Sequence, residues 1–197
     1  MDLLTLAECM DMLGVDGAAD GAVVQTYIGT ASDIIDAKCG PVVARSVTDH
    51  LDGGDGKVWV TTPPILTVTD VQEWDGTAAT VLIEEQPFAF PVPIVPANGF
   101  LVDAAGTIRR RSSGSDAAFP SGRRNILVAY SAGRVAAVAD VPDRFRQASF
   151  MIVDRLWRLY QATGTSTYGT DEWVPARAVP PMVNELLAAD MLPVPVA

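Results

Sequence analysis

The chain has 197 residues, of which 49% are hydrophobic and 19% are charged. This composition is typical of a chain that buries a sizeable core, and it excludes a largely disordered polypeptide. The formal net charge is -10 at pH 7, whereas proteins that wrap the nucleic-acid backbone present clustered Lys and Arg. Extensive phosphate binding is therefore excluded as the main function, and any contact with DNA is expected to be loose or local.

The cysteines and the N-terminus indicate where such a protein works. Cys9 and Cys39 are the only cysteines, and their apolar neighbours on apparent helical faces favour buried thiols in a reducing compartment over a disulfide. The opening MDLLTLAECMDML lacks the features of a signal peptide, and no apolar run approaches the roughly 18 residues that span a bilayer. We expect a protein made and used inside a cell, or carried in an assembly built there, without a membrane partner.

Two helices are predicted at the N-terminus. Thr5 and Glu8 have the spacing of a capping box, and Gly14 provides the stop. A second helix is predicted from an N-cap at Asp20 to Gly40-Pro41. Its apolar residues recur every three or four positions, which places them on one stripe: Val24, Tyr27, Ile28, Ala31, Ile34, Ile35 and Cys39.

The period then changes to that of β-structure. From Val42 to about Tyr130, short apolar runs alternate with turn signals such as GGDG, WDG, ANG and PSG, a pattern that predicts an antiparallel β region. Residues 85–98, EQPFAFPVPIVPAN, contain four prolines and are too rich in proline for a central strand. We interpret them as a long extended arm.

Helices return after the β region. Val141-Pro142 leads into a long amphipathic helix, and Pro180-Pro181 opens a short one, because proline at a helix start loses no hydrogen bond. The tail LPVPVA is expected to be extended. The predicted fold class is α+β, a helical bundle interrupted by an antiparallel β subdomain. Its predicted segments are N-terminal helices 1–41, β insertion 42–133, C-terminal helices 134–191 and tail 192–197.

A search for catalytic or ligand-binding motifs finds none. His50, the single histidine, has no partner at metal-ligand spacing and is predicted to be a solvated turn residue. Glu84 and Glu85 are adjacent, so in a strand they point to opposite faces, and we expect exposed charge rather than a catalytic pair. No phosphate-binding glycine loop or nucleophile elbow is present. The sequence therefore predicts neither an enzyme nor a cofactor or metal site.

Charge placement is more informative. Seven acidic residues precede the first basic one, Lys38, whereas five arginines gather in the β region: Arg109, Arg110, Arg111, Arg123 and Arg124. Complementary patches of this kind suit head-to-tail contact between identical subunits in a ring. Two alternatives stay open, namely scattered solvated charge with an arginine-rich loop, and a weak DNA contact by the loop Arg109 to Arg111.

The order of motifs resembles one family. Five segments occur in this order: LLTLAECMDMLGVD, IGTASDIIDAKCG, TTPPILTVTDVQEWDG, NILVAYSAG and VPDRFRQASFMIVDRLWRLY. Their order and spacing resemble those of the head-tail connector, or head-to-tail adaptor, proteins of tailed bacteriophages and related gene-transfer particles. The closing VPPMVNELLAADMLP resembles that family's final helix. In this resemblance VAYSAG is the last strand of the β insertion, and its glycine is where the chain leaves the sheet. The β region is longer than in compact all-helical members, and the arm matches no motif.

The resemblance implies an assembly role in the virion, at the head-tail interface, after synthesis in the host bacterial cytoplasm. Such proteins form a ring, typically dodecameric, beneath the portal protein, extend a channel through which double-stranded DNA passes without sequence-specific binding, and present a surface to a stopper or tail protein. Our candidates for partner contact are Arg109, Arg110 and Arg111 and the tail residues Leu192, Pro193, Val194, Pro195 and Val196. Alternatives are a stopper or tail-completion protein, a virion-associated hydrolase and a nucleic-acid-binding regulator.

Overall fold

The computed structural model describes residues 2–86, 93–103, 106–164 and 179–192. The chain is mixed α+β and divides into two compact units. The helical unit comprises Met1–Val43 and Ala137–Ala197, and the β unit comprises Ala44–Ala136. The helices are α1 (Leu6–Leu13), α2 (Ala18–Cys39), α3 (Asp143–Gly164) and α4 (Pro181–Leu187). The strands are β1 (Arg45–Gly53), β2 (Lys57–Trp59), β3 (Ile65–Trp74), β4 (Ala79–Val81), β5 (Ile83–Glu84), β6 (Gly99–Asp103), β7 (Thr107–Ser112), β8 (Ser115–Asp116) and β9 (Gly122–Ala132).

The ends of α1 confirm the predicted capping box. The Glu8 backbone N–H donates to Thr5 Oγ1 at 3.3 Å, and the Thr5 backbone N–H donates to Glu8 Oε2 at 2.8 Å. Gly14 adopts φ 66° and closes the helix, a left-handed conformation that costs glycine little because it has no Cβ. Reciprocal capping of this kind satisfies amides that an isolated helix end leaves unpaired.

The N-terminus of α2 differs from the prediction. Gly17, not Asp20, is the N-cap, and the Gly17 carbonyl accepts from the backbone N–H groups of Asp20 and Gly21. Asp20 therefore lies in the first turn, where a carboxylate still interacts favourably with the helix dipole. At the other end α2 stops at Gly40, which has φ 74°, directly before Pro41.

The helical unit is built around the contact between α2 and α3, with α1 packed mainly on α2 and α4 on α3. The predicted stripe of α2 forms much of this core, since Val24, Ile28, Ala31, Ile35 and Cys39 are fully buried. From α3 and α4 the core receives Phe145, Ala148, Ile152, Val153, Val183 and Leu187. Cys9 and Cys39 are buried thiols that are not joined in a disulfide, as predicted.

Ion pairs tie the ends of this unit together. Arg144 Nε and Nη2 donate to Asp190 at 2.6 and 3.1 Å, which joins α3 to the segment after α4. Arg146 of α3 donates to Glu8 of α1. Beyond Asp190, the Leu192 backbone N–H donates to the Lys38 carbonyl at 3.0 Å. The chain is therefore held beside the C-terminal end of α2 at the point where the predicted tail begins.

The described residues of the β unit form two sheets. Sheet I has the order β1-β9-β3-β4, and sheet II has the order β2-β7-β6-β5 with β8 paired to β7. Every pairing between strands is antiparallel except β5 with β6. Both sheets contribute to one core, whose buried members are Val58, Val60, Val71, Leu82, Phe100, Ile108, Phe119, Ile126, Val128, Tyr130 and Ala132. The inward residues of β9 alternate with outward ones, as expected for a strand with one buried face.

Two sequence predictions in this unit need correction. His50 is exposed as predicted, but it lies within β1 opposite Leu127 rather than in a turn. Both Glu84 and Glu85 were predicted to be exposed, but only Glu84 is, and Glu85 is buried. The Glu85 carboxylate lies 2.9 Å from Arg111 Nε. A carboxylate with a close guanidinium partner is tolerated in a buried position where an unpaired one is not.

Candidate partner-binding surfaces

The three arginines Arg109, Arg110 and Arg111 lie in strand β7, and the prediction of an arginine-rich loop is therefore wrong. β7 pairs with β2, β6 and β8 along its length. Because successive strand residues point to opposite faces, the three guanidinium groups do not form one patch. Arg110 is turned into the β unit, while Arg109 is exposed.

Arg110 is part of a buried ion pair. Its Nε and Nη2 atoms each lie 2.8 Å from one carboxylate oxygen of Glu73, and both side chains are about 8% exposed. Nη2 also donates to Asn98 Oδ1 at 3.0 Å and Nη1 to the Gly99 carbonyl at 3.3 Å. Since its donors are engaged inside the β unit, the guanidinium of Arg110 is not presented to a partner.

The other two arginines of β7 also have acidic neighbours. Arg111 donates to Glu85 and to Asp116, and these bonds raise the pKa of the guanidinium further above its usual range. Arg109 Nε lies 2.7 Å from Asp103 Oδ2, with side-chain exposures of 52% and 40%. Exposed pairs of this kind contribute little to stability, so Arg109 is the member of the trio that is free to exchange its partner.

Unpaired positive charge lies instead at the start of β9. Between the pairs Leu51–Ile126 and Gly53–Gly122 the register shifts, because β9 carries extra residues there. Arg123 and Arg124 lie in this bulge, are exposed, and make no ion pair within the described parts of the chain. We call these two residues the basic bulge.

The backbone of the basic bulge is held rigidly. Arg124 has φ 51°, an uncommon conformation for a residue with a Cβ, and its N–H donates to Asp52 Oδ1 at 2.7 Å. Asn125 Nδ2 donates to the carbonyls of Trp74 and Pro120, and its Oδ1 accepts from the Gly53 N–H at 2.9 Å. Fixed backbone geometry of this kind reduces the entropy lost when side chains bind.

An exposed tryptophan lies beside the basic bulge. Trp74 is 47% exposed and shares a shallow depression of about 210 Å³ with Arg123 and Arg124. The depression is also lined by Gln72, Ala79, Asn125, Leu127 and Glu73, whose carboxylate is paired with Arg110. An aromatic side chain next to two free guanidinium groups is the composition found at the centre of many protein interfaces. The sequence shows the pair of arginines in PSGRRN, but only the strand register brings Trp74 to them.

The helical unit carries a surface of the opposite charge. A groove of about 390 Å³ between α1 and the start of α3 has an apolar floor, which here means the apolar part of its lining, Leu4, Met12 and Phe150. Its polar lining consists of Glu8, Asp11, Asp143, Arg146 and Gln147. Glu8 accepts from Thr5 and Arg146, and these bonds hold the pKa of its carboxyl below the usual range. We call this surface the acidic groove.

The two carboxylates at the rim of the acidic groove are available. Asp11 and Asp143 are exposed, and neither makes an ion pair among the residues that the structure describes. The helical unit as a whole contains fourteen acidic and six basic residues, whereas the β unit contains ten and eight. The acidity of the chain is therefore concentrated in the unit that carries the groove.

The remaining predicted contact residues belong to the tail and the arm. Leu192 is half-buried and anchored by its N–H, whereas Pro193 to Val196 lie outside the described residues. Part of the arm, 87–92, also lies outside them, and its flanks are joined by two hydrogen bonds of 2.9 and 3.0 Å between Gln86 and Ile94. The role of these segments stays a prediction.

The described part of the chain holds no cluster of three or more His, Cys, Asp or Glu side chains placed to bind a metal ion. Among the described helices, none combines the length and the apolarity that crossing a bilayer requires.

Comparison with known proteins gives a consistent fold. No family model and no curated protein matches the chain. Among solved structures, a chain from the neck of an empty gene transfer agent (GTA) particle, computed with C6 symmetry, aligns with a TM-score of 0.57 at 16% identity. The alignment covers 98% of this chain and 92% of that one.

Two further structures align in the same way. A chain from the virion of a native GTA particle has a TM-score of 0.56 at 19% identity, covering 98% and 92% of the two chains. A chain from the neck of a native GTA particle, computed with C12 symmetry, has a TM-score of 0.55 at 18% identity, covering 97% and 90%. These alignments establish a shared fold over nearly the whole length.

Proposed function

We propose that this protein is a structural component of the neck of a phage-like particle, where it acts as a head-to-tail adaptor. The observation that carries the proposal is the fold shared with GTA neck and virion chains over 97–98% of this chain. A match of that extent involves both the helical and the β unit. A structural role also agrees with a sequence that contains no catalytic motif.

In this role the subunits form a ring, typically of twelve copies, beneath a portal protein. The C6 and C12 symmetries of the neck structures support a closed ring, and head-to-tail contact between unlike surfaces is the type of interface that generates one. Double-stranded DNA passes through the channel without sequence-specific binding. A net charge of -10 suits such a channel because carboxylates repel phosphates.

The partners of the ring are the portal on one side and a stopper or tail protein on the other. The contact residues predicted from the sequence are Arg109, Arg110 and Arg111 together with the tail Leu192 to Val196. Within the arginine trio we assign the contact to Arg109, since Arg110 and Arg111 have internal partners. The protein is made in the host bacterial cytoplasm and is carried at the head-tail interface of the virion.

The test is the particle mass of the purified protein, measured alone and after mixing with the portal protein encoded near its gene. A discrete ring-sized increment on the portal is expected. A chain ending at Leu192 should lose portal attachment, whereas the matched substitution Met182→Ala, at an exposed position of α4, should not. Binding to an assembled tail without binding to the portal would identify a stopper or tail-completion protein instead.

A further inference from the structure

We propose that the basic bulge of one copy docks into the acidic groove of a second copy, with Trp74 over the apolar floor of the groove and Arg123 and Arg124 on its acidic rim. This inference rests on the proposed ring and names the surfaces that join its subunits. It assigns the basic side of the contact between subunits to Arg123 and Arg124, two of the five arginines that the sequence predicts for that contact.

Charge complementarity is the first argument for this pairing. Arg123 and Arg124 are exposed and make no ion pair within the described residues. Asp11 and Asp143 are also exposed, and they too make no ion pair there. Guanidinium–carboxylate bonds are stronger than neutral hydrogen bonds and favour one orientation. Two free cations thus match two free anions on different units of the chain.

The apolar parts of the two surfaces match as well. Trp74 is 47% exposed, and Met12, which lines the groove, is 59% exposed. The groove is about 390 Å³ in volume, which is large enough for an aromatic side chain, and Leu4 and Phe150 are among its lining residues. Tryptophan and arginine are the residues that most often dominate binding at protein interfaces, and methionine adapts readily to an aromatic neighbour.

Arg124 also has a conformation that suits a binding residue. A residue with φ 51° is more strained as arginine than as glycine, and within the described chain its guanidinium makes no ion pair that would offset this strain. Strain of this kind is found where a side chain serves binding rather than stability. Nucleic acid would be the other partner for two free arginines and a tryptophan, but the chain carries its own acidic and apolar complement.

The experiment uses two neutral variants of the full chain. The bulge variant carries Arg123→Gln and Arg124→Gln, and the groove variant carries Asp11→Asn and Asp143→Asn. Sedimentation velocity should show oligomers for the wild type and monomers for each variant alone. An equimolar mixture should form a heterodimer that grows no further, since it contains one intact bulge and one intact groove. A chain with Arg123→Glu, Arg124→Glu, Asp11→Arg and Asp143→Arg should regain assembly.

Several results would overturn the inference. A wild type that stays monomeric at high protein concentration, or variants that assemble as well as the wild type, would exclude this interface. Loss of duplex DNA binding by the bulge variant with unchanged assembly would identify nucleic acid as its partner instead. Circular dichroism of each variant checks that it is folded.

Portal binding is measured separately, because it tests the proposed function and not the interface. Monomeric variants that still bind the portal leave the proposed function intact. A wild type that assembles but does not bind the portal refutes only that function.

Discussion

Arg110 of sheet II and Glu73 of sheet I meet through two hydrogen bonds of 2.8 Å in the interior of the β unit. The pair joins the sheets across their shared core. Asn98 Oδ1 and the Gly99 carbonyl accept further hydrogen bonds from the same guanidinium. The central arginine of a basic triplet is thus a structural residue. Its neighbours in sequence differ from it because the strand turns them to the other face.

Breaking this pair should be costly. Arg110→Met leaves the Glu73 carboxylate buried without a partner, and we expect a loss of about 3–5 kcal/mol in the free energy of unfolding, measured by urea denaturation. Arg109→Met on the same strand is the matched control and should cost less than about 1 kcal/mol, because its pair with Asp103 is exposed. Adding Glu73→Leu to Arg110→Met should recover part of the loss. Equal costs for the two single variants would contradict this assignment.

The capping box of α1 makes stability depend on acid. The pKa of Glu8 is lowered by its bonds with Thr5 and Arg146. The stabilisation is therefore present above the usual pKa of 4.5 and is lost as pH falls through the lower folded value. Glu8→Gln should reduce the difference in urea midpoint between pH 7 and pH 3. The control Glu185→Gln, at an exposed position of α4, should leave that difference unchanged.

The buried thiols should be unreactive in the native protein. Burial raises the pKa of Cys9 to about 11, and Cys39 is also buried, so neither provides an accessible thiolate at neutral pH. Ellman's reagent at pH 8 should label no thiol rapidly in buffer and both thiols in denaturant. Rapid labelling of one thiol in buffer would contradict the packing described for the helical unit.

Cys9 also predicts an alkaline limit. The pKa of Cys9 in the folded protein lies above the ordinary value of 9.0. The neutral thiol therefore contributes fully to the free energy of unfolding below pH 9.0, and this contribution is lost as the pH rises towards 11. Cys9→Ala should therefore make the melting temperature less dependent on pH between 9 and 11, even though it removes some packing. An unchanged pH dependence in this window would contradict the assigned shift.

The strained residue of the basic bulge offers a test that separates stability from assembly. Arg124→Gly relieves a φ of 51°, but glycine also gains freedom in the unfolded chain. The free energy of unfolding should therefore stay within about 1 kcal/mol of the wild-type value. Self-association should weaken because one of the two cations is lost. Denaturation measures the stability of the variant, and sedimentation measures its self-association. A variant that is destabilised but still fully assembled would contradict this prediction.

Much of the fold follows from local chemistry. The Thr5–Glu8 spacing, Gly14 and Gly40-Pro41 predict the helix ends because capping and left-handed backbone are determined by neighbouring residues. The stripe of α2 and the alternation in β9 predict which faces are buried, since helix and strand periods are properties of the backbone. Even here Gly17 replaced Asp20 as the N-cap, because both residues can begin a helix.

The candidate surfaces depended on contacts between residues distant in the chain. Nothing local distinguishes Arg110, whose carboxylate partner Glu73 is 37 positions away, from Arg123, which has no ion-pair partner in the described residues. Strand register and the packing of the two sheets determine whether an arginine forms an ion pair inside the fold or stays exposed to a partner. The helices and strands, their order and the concentration of acidic residues in the helical segments can be predicted from the chain alone, because they depend on neighbouring residues and on composition. Which charges remain available for a partner depends on the folded arrangement, because pairing requires particular strands to become neighbours.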